Sequence, residues 1–385
     1  MSGKNASGYY VYKKGLRQRK TPYRWIIITG IAFFILYFIY FNFRTVEEVS
    51  PPKGDVRLPA RVSRVVNENR MFASGWFTND IENISIKDAK IYGIKHLLPV
   101  LGTTTYKELF SINLIQSNVI MSIDLMNIGS VRSFRYTLYH FPNNTSFYHT
   151  EAERYSRRIS FEKAMAHGSM KTAAGSFSFD RETTNFMCAL KLDRKAVADL
   201  SGAYTSAPLG VMVNWNRNKG MLEQVATGTV NGRINIPGDS FVLSNAFFAT
   251  TYITGIMPVK CSSERIIGTA FHPSAGMVIL SVFTARPGGA IPAKAFYNYR
   301  GQWTPITGVE ITHNDDTKVT SVTSTNEGAV IAFTPHYTVN KKTGALYPVI
   351  ESLTQHGSIA ATLRIYGQDI TFNGRAVREW CRAQW

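Results

Sequence analysis

The stretch Val119-Ile-Met-Ser-Ile-Asp-Leu125 decides the fold. Val119, Met121, Ile123 and Leu125 alternate with neighbours that include Ser122 and Asp124, so successive side chains fall on opposite faces of an extended chain. Shortly after, Phe134, Tyr136 and Leu138 alternate with Arg135 and Thr137. Outward from this pair the pattern recurs at Leu209–Trp215, Ile266–Phe271, Met277–Phe283, Ala293–Tyr299, Ile306–Thr312, Val319–Ser324, Ala329–Phe333 and Ile359–Ile365. Each run is short and rich in Val, Ile, Thr and aromatics, which suit a pleated, half-buried surface. About a dozen to sixteen strands are expected on this reading.

Turn chemistry separates the runs. Asn231-Gly232 predicts a tight hairpin between Val225–Val230 and Arg233–Ile236. Asn314-Asp-Asp316, Asn326-Glu-Gly328 and Lys341-Lys-Thr-Gly344 predict further turns. Two short helices are expected near Glu151–Ala166 and Asp193–Leu200, with Asp193 as the cap of the second. The fold class is mainly β: an antiparallel barrel or double barrel over residues 57–385.

The N-terminal part reads differently. Residues 1–24 form a basic tail with Lys4, Lys13, Lys14, Arg17, Arg19, Lys20 and Arg24 and no acid. Residues 25–43, Trp25 to Phe43, carry no charge and predict a transmembrane helix, with Trp25 and Tyr40 at the two interfaces. Residues 44–56 contain Ser50-Pro-Pro-Lys-Gly-Asp55, a polar linker. The charge asymmetry predicts a single-pass membrane protein with its tail on the cytosolic or matrix side. The barrel then lies in the mitochondrial intermembrane space or in the lumen of the endoplasmic reticulum. Membrane lipids and other membrane protein subunits are the expected partners.

The net charge is +17. Outside the tail the excess is spread thinly, and its densest patch is Arg154, Arg157 and Arg158. A nucleic-acid binder would concentrate basic and aromatic residues on one face, so nucleic acid is not an expected partner. Cys188, Cys261 and Cys381 lie far apart, odd in number and without metal-ligand spacing. Cys188 sits in the alternating run with Phe186, Leu190 and Leu192, the setting of an inert buried thiol. No metal or cofactor is expected.

Several segments resemble one family. Leu58-Pro-Ala-Arg-Val-Ser-Arg-Val-Val66 with Ala73-Ser-Gly-Trp-Phe77 is similar to its N-terminal opening. Ala226-Thr-Gly-Thr-Val-Asn-Gly232, Gly328-Ala-Val-Ile-Ala-Phe-Thr-Pro335 and Ile365-Tyr-Gly-Gln-Asp-Ile-Thr-Phe-Asn-Gly374, ending in Glu379-Trp380 and Trp385, follow in the family's order. The chain thus resembles the lipocalin-like domain of unknown function 2804, distantly akin to carotenoid-hydratase-type barrels. The resemblance implies a lipocalin-like double β-barrel and no established activity. Ile266-Ile-Gly-Thr-Ala-Phe-His272 lacks the tryptophan expected of the family there, which puts a pocket at that strand in question.

No catalytic motif stands out. The histidines are dispersed; His140 and His149 flank a loop that brings them together on one reading, but surface positions are expected. A hydratase-like enzyme needs a carboxylic acid inside an apolar barrel. Asp124 is the best candidate, with Glu264 and Glu310 behind it, although alternation puts Asp124 opposite Ile123 and Leu125, on the solvent side. Trp76, Trp215 and Trp303 read as core aromatics. The expected role is a membrane-anchored, non-catalytic accessory or scaffold subunit. The alternatives are a lipocalin-like carrier of a lipid or other hydrophobic ligand, and a lipid hydratase or isomerase. The carrier needs an apolar cavity of several hundred Å³, on the order of ordinary ligand sites. The enzyme needs a buried carboxyl of raised proton affinity.

Overall fold

In the computed structural model the described residues are 23–43, 57, 74–78, 106–127, 131–154, 159–162, 167–171, 175–182, 184–193, 195–216, 219–236, 238–257, 260–286, 293–343 and 349–384. Two compact units divide the chain, residues 1–47 and 48–385.

In the first unit a helix forms over Tyr23–Phe43. Its described side chains run from Tyr23 to Tyr37. Among the described residues no helix is long and apolar enough to cross a membrane. The expected single-pass anchor is therefore corrected, and with it the mitochondrial or endoplasmic-reticulum localisation. The basic tail and the linker at residues 44–56 lie outside the described residues.

In the second unit the described strands fall into two antiparallel sheets, one of 13 strands and one of 9. All described strands from Gly75 to Ile256 belong to the first sheet and all from Lys260 to Gln384 to the second. Each sheet brings an early strand against its last one: Tyr106–Ile115 pairs with Asp239–Ile256, and Lys260–His272 pairs with Gln368–Gln384. Both are accordingly barrel-like. The mainly β, double-barrel part of the expectation holds, with more strands than counted from the sequence.

Alternation explains the filling of the first barrel. Val119, Met121, Ile123 and Leu125 point inwards with Phe134, Tyr136 and Leu138, against Phe177, Phe186, Leu190 and Phe248. The second barrel is filled by Ile266, Val278, Leu280, Phe333, Leu363 and Phe372, among others. Burying each such aliphatic or phenyl side chain contributes about 1.5–3 kcal/mol. A third apolar cluster joins the sheets: Trp76, Ile120, Val211 and Phe247 from the first meet Ile267, Phe283, Phe296 and Trp303 from the second. Trp303 Nε1 also donates to the Ala207 carbonyl at 3.0 Å. Trp76 and Trp303 are thus core aromatics; the side chain of Trp215 lies outside the described residues.

Three local expectations fail in the first sheet. Glu151–Arg154 finish the strand Thr145–Arg154, and Ile159–Glu162 is another strand, so no helix forms there among the described residues. Asp193 turns the chain with φ 48° instead of capping a helix, and Lys195–Tyr204 pairs with Asn185–Leu192. That pairing buries Leu200 opposite Cys188, a gain that outweighs a helix cap. Asn231-Gly232 lies within the single strand Lys219–Ile236, where the register shifts between Val230 and Gly232. The positive φ of Gly232, 147°, serves a bulge instead of a turn.

Candidate active site between the two sheets

The polar halves of the alternating strands do not face water. Ser111, Ser122, Asp124, Arg135 and Thr137 lie on the face of the first sheet opposite the barrel core, yet the second sheet covers them. Strand register orders the row. Asp124 stands directly across from Ser111 on one side and from Arg135 on the other. On the facing sheet Arg265 stands across from Glu379, and Ser352 across from both Cys381 and Lys341.

Two guanidinium groups tie the layer together. Arg135 Nε donates to Asp124 Oδ2 at 2.7 Å, and its Nη1 donates to Ser352 Oγ at 3.2 Å on the other sheet. Arg265 Nη2 donates to Ser111 Oγ at 2.6 Å and also to Glu379 Oε2. Its Nη1 lies 3.8 Å from Glu223 Oε1. Both buried carboxyl oxygens of Glu223 accept no hydrogen bond within the protein, whereas Asp124 and Glu379 share a side-chain hydrogen bond.

Three carboxyl groups therefore share two guanidinium groups inside a low-dielectric gap. Full ionisation would leave an uncompensated buried charge, which is costly, so the layer retains protons. Burial, with the nearby charge of Glu379, pushes Asp124 up to about 7 against the pull of Arg135. Burial likewise pushes Glu223 up to about 8. Burial also acts on Glu379, but Arg265 and Arg135 outweigh it and hold this carboxyl below its usual range. Glu379 is the stable anion of the group, and Asp124 is poised to give or take a proton near neutrality.

Asp124 opens on a cavity of about 70 Å³. Its polar lining includes Arg135, Arg265, Lys341 and Glu379; its apolar lining includes Leu109, Ile253, Phe283 and Trp380. The cavity is smaller than the several hundred Å³ that the carrier reading requires. Lys341 reaches it from the strand Val330–Thr343, which runs on through Lys341 and Lys342 where a turn was expected.

The other candidate residues lie elsewhere. Glu264 is buried, but it accepts from Arg378 Nε at 2.7 Å and sits 3.2 Å from His313 Nε2. Burial would raise its proton affinity; His313 and Arg378 reverse this and keep it an anion. Glu310 is exposed. His140 packs on Phe241, whereas His149 pairs with Glu151 at 2.9 Å; the two histidines are in register with Thr145 and Tyr136, not with each other. Among the described residues no cluster of His, Cys, Asp or Glu has the arrangement of a metal site.

The two-sheet arrangement has counterparts among solved structures. CghA matches with a TM-score of 0.52 at 10% identity, over 83% of this chain and 97% of that chain. CghA with Sch210972 matches with a TM-score of 0.51, at the same identity and coverage. This chain shares the fold of CghA. Kievitone hydratase from Nectria haematococca is a looser likeness, with a TM-score of 0.43 at 10% identity over 75% of this chain and 92% of that one. No protein-family model and no curated protein matches the chain. The double-barrel expectation is met, but membership of the domain of unknown function 2804 family is not shown.

Asp124 was legible as a candidate, but its burial was not. Arg265, Glu379 and Glu223 went unnoticed in the sequence as members of the site. Their signal is a charge embedded in an apolar β run, as in Arg265-Ile-Ile267 and Met221-Leu-Glu-Gln-Val225.

Proposed function

We propose that the protein is an acid–base catalyst of the hydratase or isomerase type, working in the cavity between the sheets. One observation carries this reading: the Asp124 carboxyl lines a buried cavity in a layer with more carboxyl groups than guanidinium groups. A protonated Asp124 delivers its proton to an alkene carbon or to a departing oxygen. The carboxylate left behind keeps its hydrogen bond from Arg135, which stabilises the charge as it develops. A group with proton affinity near neutrality serves both directions of such a transfer, and a positioned acid or base of this kind is worth about 10²–10⁴ in rate. The fold likeness to CghA, a protein solved with the small molecule Sch210972, is compatible with a small organic substrate. The accessory-subunit expectation draws no support from the fold or its neighbours.

The test is turnover in heavy water. The protein is incubated with a panel of α,β-unsaturated and β-hydroxy carbonyl compounds, and carbon-bound deuterium is followed by NMR. The expected result is incorporation by the wild type and a loss of about 100-fold or more in Asp124→Asn. Equal rates in the two proteins would remove Asp124 from the chemistry and this reading with it.

A further inference from the structure

The same cavity says what kind of molecule it accepts. Five of its lining residues are acids or bases carrying formal charge: Asp124 and Glu379 against Arg135, Arg265 and Lys341. Glu223, the third carboxyl of the layer, sits beside Arg265 outside this lining, so the three cations face three carboxyl groups in all. Arg135 and Arg265 are engaged with Asp124 and Glu379. Lys341 is different. Its Nζ donates to the neutral hydroxyl of Thr150, and among the described residues no carboxylate lies within ion-pair distance of it. Burial and the neighbouring Arg135 both hold its proton affinity below the usual lysine range, which is the mark of a cation without an anion. The same lining includes the apolar side chains of Leu109, Met126, Ile253, Phe283, Ile350 and Trp380, an apolar wall for the cavity.

We propose that the substrate is an amphipathic carboxylate, whose anionic head pairs with Lys341 and whose first carbons lie along the apolar wall beside Asp124. Lys341 is the cation of the lining that no carboxylate engages, so a head with a single negative charge matches it. This inference rests on the acid–base reading of the cavity and adds the chemical class of its substrate.

Calorimetric titration with octanoate, octan-1-ol and octyl phosphate tests it. The wild type should bind octanoate at least about tenfold tighter than octanol, the scale of a hydrogen-bonded ion pair. Lys341→Gln should lose that preference, and Lys341→Arg should keep most of it. Equal affinity for octanoate and octanol, or an octanoate affinity unchanged by Lys341→Gln, would overturn the proposal. Tighter binding of octyl phosphate than of octanoate would overturn the choice of a carboxylate. Asp124→Asn separates the two readings. It should bind octanoate while losing deuterium incorporation. Turnover without octanoate preference removes the substrate class alone; octanoate preference with turnover insensitive to Asp124 removes the acid–base role alone.

Discussion

Arg265 reaches from the second sheet to the first and donates to Ser111 at 2.6 Å, while its own cross-strand neighbour is Glu379. One side chain thus closes the gap between the sheets and neutralises the anion beside it. It is nearly inaccessible, with 4% of its side chain exposed.

Arg265→Met should therefore cost more than a surface substitution. It removes the cross-sheet hydrogen bond and leaves Glu223 and Glu379 facing each other without their cation. Breaking a buried pair on one side typically costs about 3–5 kcal/mol. Urea unfolding of the two proteins measures it. A cost within about 0.5 kcal/mol, ordinary for a surface site, would mean that the sheets hold together without this contact.

The retained protons make stability depend on pH with a definite sign. Asp124 rises from 3.8 to about 7 on folding, and Glu223 from 4.5 to about 8. The folded state then binds more protons than the unfolded chain between these values. Their contribution is complete below about pH 4 and lost as the pH rises through about 7 and 8. Glu379 acts in the opposite sense, its contribution present above 4.5 and lost as the pH falls. Unfolding midpoints should decline between about pH 5 and pH 8 in the wild type and decline less in Glu223→Gln. Parallel curves would contradict the assignment of a proton to Glu223.

His356 should stay neutral in mild acid. Its ring is fully buried, with Nε2 3.0 Å from Ser122 Oγ and 3.3 Å from Thr137 Oγ1. Burial pushes it down from 6.5 to about 3. Between those values the folded state binds fewer protons than the unfolded one, so this residue withdraws stability as the pH falls below about 6.5. Nitrogen-detected NMR of the imidazole at about pH 5 should show a neutral ring. A protonated signal in folded protein would refute the buried placement.

Gly374→Ala should strain the second sheet. A Cβ there would lie 1.9 Å from the backbone oxygen of Thr269, with which no rotamer change can relieve the clash. Overpacking of this kind typically costs about 1–3 kcal/mol. A thermal midpoint unchanged from wild type would show that the two strands part easily at this point.

Much of the fold was legible because alternation is a local property. The run from Val119 to Leu125 reveals two faces without any knowledge of the rest of the chain. It does not reveal what covers each face. Asp124 was assigned to solvent because polar faces of antiparallel sheets usually meet water, and here a second sheet lies over that face. The missed partners share one cause: Glu223, Arg265 and Glu379 come from strands far apart in sequence, and only the register of two sheets brings them to Asp124. Gly232 shows a similar ambiguity on a small scale, since positive φ is needed by a hairpin turn and by a bulge alike.

Among the described strands the chain passes from the first sheet to the second once, between Ile256 and Lys260. Each wall of the cavity is therefore a contiguous length of chain, and the wall bearing Asp124 leaves the ribosome first. Until its counterpart is made, that wall lacks its cover, and Asp124 behaves as an ordinary aspartic acid. Its unusual proton affinity is acquired last, when the second half docks. A nascent or truncated chain with a correctly formed first half would thus carry the residue but not the reactivity.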